Sequence, residues 1–387
     1  MSKLRIPGNR LDERCKALGE ELDEAVARVI SRGVFTPSVE VEAFEEEFAN
    51  YVGTKYAIGV ASGTVAVTLA LMAISNERGD RVVSVANVDI SASAPITHAG
   101  ARPVWVDINP RTYNLDPSKL EASITSDTRA IVAVHMYGNP ANMQSILETA
   151  DRYGIPVVED ASLAHGARYR GKQVGSMGTM SCFSFAPGKI MGGIGQAGAI
   201  LTNDRGLADR VRVLHNYGFG DSSIDAVQRG IPGATFDYDA EGFNARMDEL
   251  QAAVLRVSLK HLESWINRRR ENASIYMKEL AELDPEHILL PHDTPDAIPV
   301  YRFYVLRSQQ RDSLAQSLAD CGIWTGLTYV PSLHIQPVYQ HLGYHPGSLP
   351  QTELVAKELL ALPTVPEIST EEIETVADTI RKHFLRR

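Results

Sequence analysis

The 387-residue sequence predicts an α/β fold. A mainly parallel central sheet carries helices on both faces, and a smaller C-terminal α+β domain follows. Three observations predict it. Short apolar runs alternate with amphipathic stretches in the first part of the chain, the pattern of a parallel sheet wrapped by helices. After about Asn244 the pattern changes to long helical stretches with one late strand candidate. The length is enough for two domains. The expected division is a large domain over 1–245, including an N-terminal segment, and a small one over 246–387.

Each element has its own reason. Residues 65–74 are apolar and Ala-rich and read as a helix that starts just after the turn Ala61-Ser62-Gly63-Thr64. Residues 81–85, 103–106, 130–134, 156–159 and 180–185 are short apolar runs, the mark of buried strands. Residues 143–153 form an amphipathic helix candidate. Ala199-Ile200-Leu201-Thr202 reads as a strand ending at Asn203-Asp204. Residues 247–283 are helical in pattern and 301–306 form the late strand. The segment 218–239 is polar and Gly-rich, a candidate mobile loop near the site.

The formal net charge is −10, which argues against nucleic acid as a main partner. Arg268, Arg269 and Arg270 lie in a helical stretch and read as a solvated or intersubunit face. Cys15, Cys182 and Cys321 are few and far apart, so no disulfide framework and no metal site is expected. No apolar stretch is long enough to span a membrane, and the N-terminus lacks the apolar core of a signal peptide. The expected location is cytoplasmic.

The chemistry centres on Lys189, within Phe183-Ser184-Phe185-Ala186-Pro187-Gly188-Lys189. A buried strand delivers this lysine into a loop containing glycines 192, 193, 195 and 198. A desolvated ammonium loses proton affinity, so the free amine can attack a carbonyl. An apolar strand ends 29 residues earlier at Glu159-Asp160. Pyridoxal 5'-phosphate (PLP) needs a carboxylate against its pyridine nitrogen, and the carboxyl end of a parallel strand is where ligands bind. Neighbours on a strand face opposite ways, so one of the two acids can serve, and Asp160 is the choice. Ser62-Gly63-Thr64 opens a helix whose free N–H groups suit a phosphate. Ser184 can add a hydroxyl. Gly193-Ile194-Gly195-Gln196-Ala197-Gly198 fits a dinucleotide fingerprint, but it leads into a strand rather than a helix, which argues against that role.

Cradle, ring acid and lysine together resemble the DegT/DnrJ/EryC1/StrS (sugar) aminotransferases. The resemblance extends from about Gly33 to the end. It includes Thr112-Tyr113-Asn114-Leu115-Asp116-Pro117, His135-Met136-Tyr137-Gly138, Ala164-His165-Gly166-Ala167, Phe243-Asn244-Ala245-Arg246-Met247 with Gln251-Ala252-Ala253, and Tyr329 with Leu333-His334. It implies fold type I and a PLP-dependent aminotransferase, with pyridoxamine 5'-phosphate as the intermediate form. By resemblance Lys189 is the Schiff-base lysine and Asp160 the pyridinium partner. Gly63, Thr64 and Ser184, with Ser62 beside them, contact the phosphate. Asn244 reaches the phosphate of the neighbouring subunit, which implies a homodimer with shared active sites. Tyr329 and His334 help to wall the substrate pocket.

Four positions depart from the family pattern. Asp89 stands where an aromatic residue usually covers the ring, and Leu163 where a polar residue follows the ring acid. Gln196 replaces an acid in the loop after the lysine, and Thr328 stands where His often precedes Tyr329. Asp89 either lies near the ring or points away, bonded to nearby backbone. The expected reaction moves an amino group from glutamate or glutamine to a keto group of a sugar, cyclitol or related small molecule, in secondary-metabolite or polysaccharide biosynthesis. Two alternatives stay open: PLP-dependent elimination, aromatisation or carbon-bond formation, and a catalytically silent regulator.

Overall fold

The computed structural model describes residues 5–74, 80–219, 231–232, 235 and 237–385. Most of the Gly-rich segment expected to be a mobile loop, 218–239, lies outside the described residues.

Seven strands form the central sheet: β1 (Tyr56–Val60), β2 (Arg81–Val85), β3 (Arg102–Val106), β4 (Thr128–Val134), β5 (Val157–Asp160), β6 (Met180–Ser184) and β7 (Gly198–Thr202). Their order is β1-β7-β6-β5-β4-β2-β3. β7 runs antiparallel to both neighbours, and every other pairing is parallel. The strands are apolar almost throughout because helices cover both faces. β1 escaped the sequence reading. Its Tyr-Ala-Ile-Gly-Val run is short, and Gly59 weakens its strand signal.

Register sets the site. Val134 of β4 pairs with Asp160 of β5, and Asp160 pairs with Cys182 of β6. Asp160 therefore ends β5 between two parallel neighbours, at the carboxyl edge of the sheet. The helix Gly63–Ile74 packs against β6 and β7 and is buried over most of its surface. That burial explains why its sequence is apolar all round rather than striped.

Glu159 faces the other way. Its carboxylate sits 3.1 Å from His135 Nε2 and accepts N–H bonds from Gly175, Met177 and Gly178. Burial alone would raise this carboxyl, but His135 and the backbone donors hold it below the usual range. A second buried acid works similarly. Glu249 accepts from the backbone N–H groups of Ser38, Glu40 and Val41, and so ties the start of helix Val39–Val52 to the start of helix Glu249–Leu280.

The Glu249–Leu280 helix joins two cores. Ala252, Leu255, Leu262 and Ile266 pack with Phe44, Phe48, Phe183 and Phe185 behind the sheet. Ala273, Tyr276 and Leu280 pack into a C-terminal core with Tyr304, Leu306 and Ile380. A two-stranded sheet, β8 (Tyr304–Arg307) with β9 (Leu359–Leu362), belongs to that core. The late strand therefore starts three residues after its expected start at 301, because Tyr301 turns the backbone with φ 45°. We propose the 245/246 division as the domain boundary, and the N-terminal segment is one of the elements that cross it. Ile6 packs in the C-terminal core, and the N–H groups of Arg5 and Ile6 both donate to Gly322 O.

Replacing Glu249 with Ala strands three backbone donors at a helix start. The expected loss is about 3 kcal/mol, read as an earlier unfolding transition in denaturant.

Candidate active site

A cavity at the carboxyl edge of the sheet collects the chemistry. Its walls include Ser62, Gly63, Thr64, Asp89, Asp160, Leu163, Ser184, Lys189, Gln196 and Tyr329. Nine of these ten lie on or beside the central-sheet elements, and Tyr329 reaches in from the C-terminal segment.

The floor is a close approach of three backbones. A Cβ on Gly63 would lie 2.4 Å from Ser184 Cβ, and one on Gly198 would lie 2.5 Å from the Ser62 carbonyl carbon. Only glycine fits at either place. The Ser62 hydroxyl accepts from Val65 N–H at 3.2 Å, which caps the helix. Gly63 and Thr64 of the first turn line the cavity together with Ser184. A helix start with hydroxyls at hand is a ready anion site.

Asp160 is buried and lines the cavity, and its carboxylate accepts from Ser162 N–H at 3.0 Å. That bond fixes the side chain and leaves oxygen lone pairs for another donor. Glu159, the other acid considered from the sequence, is committed to His135 and to the loop at 175–178.

Lys189 lies in the turn after β6. Its N–H donates to Ala186 O, and the glycines after it fold back, with Gly193 N–H donating to Phe185 O. Gln251 braces this loop by accepting from Gly195 N–H at 3.0 Å. The run 193–198 leads into β7, so it opens no helix. Burial, helped by the Arg302 charge and opposed by Asp160 and Asp89, lowers the Lys189 pKa to about 8. His165 stands behind the site between the rings of Phe183 and Phe185. Burial, then the Lys189 charge, pushes its pKa down to about 3, so it stays neutral. Burial pushes Tyr329 up to about 12, so its hydroxyl stays protonated.

Asp89 does two things at once. It accepts from Ser91 N–H at 2.9 Å as the N-cap of helix Ile90–His98, and it lines the cavity mouth. Two expected residues lie elsewhere. His334 is wholly buried with Nε2 3.0 Å from Glu353, so it holds the loop that carries Tyr329 and does not wall the cavity. Asn244 is exposed away from the cavity of its own chain and accepts from Arg246. Sequence reasoning missed Ser91, Ser162 and Met136 on the walls and Arg302 beside the lysine. Arg302 gave no signal, because it sat inside an expected strand.

The family model described as the DegT/DnrJ/EryC1/StrS aminotransferase family matches residues 16–381. The chain belongs to this family. It is 39% identical to the dTDP-3-amino-3,4,6-trideoxy-alpha-D-glucose transaminase of Streptomyces venezuelae, over 98% of this chain and 96% of that protein. The crystal structure of S. venezuelae DesV in complex with a ketimine intermediate superposes with TM-score 0.92, at 39% identity over 99% of both chains. NtdA from Bacillus subtilis, solved with bound cofactor PMP, superposes with TM-score 0.89 at 30% identity, over 100% of this chain and 86% of that one. The protein is thus an aminotransferase of fold type I, from a PLP-dependent family. The residues present fit such a cofactor: a glycine-floored anion cradle, an acid with spare lone pairs and a desolvated amine share one cavity.

A depressed Lys189 pKa has a direct consequence. The neutral amine predominates above pH 8, whereas an ordinary lysine needs a pH above about 10.4. In the cofactor-free protein, the rate of reaction of Lys189 with an aldehyde should rise with pH to a plateau with its midpoint near 8. Rapid-mixing absorbance across pH 6–11 checks this.

Proposed function

We propose that Lys189 holds PLP covalently and that the enzyme moves an amino group from glutamate or glutamine to a keto-sugar, with pyridoxamine 5'-phosphate between the two halves. The observation that carries this reading is the meeting of Lys189, Asp160 and the Ser62–Gly63–Thr64/Ser184 cradle in one cavity. The S. venezuelae relative, named for a dTDP-linked amino sugar, supports a nucleotide-linked acceptor.

When bound, PLP supplies an electron sink next to the reacting carbon. The remaining work falls to the protein. The cradle would hold the phosphate through the first-turn N–H groups and the hydroxyls of Thr64 and Ser184. Asp160 would keep a proton on the ring nitrogen, which favours electron acceptance. Lys189 Nζ would take the proton from the donor α-carbon, and a pKa near 8 suits it to that work close to neutral pH. Leu163, on the cavity wall, would offer the ring an apolar edge. Asp89, at the mouth, is placed to accept a hydrogen bond from an acceptor hydroxyl. Tyr329, also on the wall, would act as a neutral donor.

The assembly we propose is a homodimer with shared sites. Asn244 is exposed and absent from its own cavity, as a residue serving a partner's phosphate must be. The large exposed side chains Phe35, Tyr217 and Phe243 support a covered surface there.

Asp160→Asn keeps the shape and removes the charge. Turnover should fall at least ~10²-fold, on the scale of one lost electrostatic contributor. Steady-state kinetics checks it, and near-normal turnover would exclude Asp160 as the ring partner.

Mixing Lys189→Ala protomers with Asn244→Ala protomers should recover activity that neither has alone, since one site of each mixed dimer is intact. Activity assays after co-refolding, with light scattering for mass, test the assembly. A fully active monomer would contradict it.

A further inference from the structure

Arg302 is a cation with no ion-pair partner among the described residues. Among the described residues its side chain makes no hydrogen bond and no ion pair, and its Nε is buried and unpaired. Its guanidinium lies 4.2 Å from the centre of the Phe303 ring. Stacking of that kind occupies the flat face and leaves the N–H edge free. A Cβ on Gly188 would lie 4.0 Å from Arg302 Nη2, which places the guanidinium beside the residue before Lys189.

The charges that act on it do not explain it. Arg14 is repulsive, and Tyr329 is a neutral phenol. Asp160 and Asp89 act on Lys189 and Tyr329 instead. Withdrawing a guanidinium part-way from water with no counter-charge is costly, and an anion that comes and goes would offset that cost. The backbone is spent on it too. Tyr301 holds φ 45°, and its carbonyl is gripped by Arg269 Nη1 and the Thr364 hydroxyl at 3.5 and 3.3 Å. A strained residue fixed in this way aims the side chain after it.

We propose that Arg302 receives a carboxylate of the amino donor, beside the position where Lys189 works. The fork of a guanidinium matches a carboxylate with two parallel hydrogen bonds. The cradle at Ser62–Thr64 and Ser184 lines the cavity, whereas Arg302 sits beside Gly188, so the cofactor phosphate and the donor carboxylate have different partners. The inference rests on the aminotransferase reading with an amino-acid donor.

The test uses PLP-loaded protein and glutarate, a dicarboxylate that has no amine and cannot turn over. Calorimetry should show saturable binding to the wild type, weakened at least ~30-fold in Arg302→Met and less in Arg302→Lys. In single-turnover experiments, Arg302→Met should weaken the apparent affinity for L-glutamate by a similar factor and leave the apparent affinity for a keto-sugar nearly unchanged, whatever the change in Lys189 basicity does to the rates. Unaltered cofactor absorbance and melting temperature show that the variants fold. Equal glutarate binding by wild type and Arg302→Met, no binding by the wild type, or equal loss of affinity for glutamate and keto-sugar would overturn the proposal. Glutarate binding does not require amine exchange, so failure of this site and failure of the aminotransferase reading give different results.

Discussion

A lysine ammonium in a poorly hydrated wall is held there against its preference for water. Desolvation costs the charged form more than the neutral one, and a guanidinium nearby adds to that cost. The pKa near 8 at Lys189 is the outcome. Asp160 and Asp89 pull the other way, which keeps the shift moderate. Most of the large domain serves this balance. β5 and β6 run parallel and in register, so the acid and the lysine emerge at the same edge of the sheet. Glycine at 63 and 198 lets three backbones close the floor under them.

Much of this was legible in the sequence, for physical reasons. Parallel strands buried on both faces have to be apolar, so β2 to β7 stood out, and the amphipathic helix Met143–Tyr153 matched its expected limits. Period-two geometry separated Asp160 from Glu159, and the structure gives the two acids opposite tasks. β1 and β9 were not legible. Each is a short run whose strand character comes from its neighbours rather than from itself. The same holds for His334. Its motif marked it as important, but sequence cannot tell a buried strut from a wall residue, and Glu353 is 19 positions away.

Asp89 shows how a family departure can be absorbed. A carboxylate facing a ring invites a reading as a reactive group. The structure gives it an N-cap bond to Ser91 first, at the cavity mouth, where water shares its charge. Capping explains why an acid is tolerated there, while the open position leaves it available to a substrate. Arg302 is the opposite case. Nothing in its own segment singles it out, and its meaning comes from the strained Tyr301, the Phe303 ring and the lack of a counter-charge among the described residues.

The central claim is that this desolvated amine, and no other lysine, carries the cofactor. Borohydride reduction of the PLP-loaded protein, followed by proteolysis and mass spectrometry, tests it most directly. The account predicts a single pyridoxyl-modified peptide containing Lys189. A pyridoxyl group on any other lysine, or none at all, would contradict it.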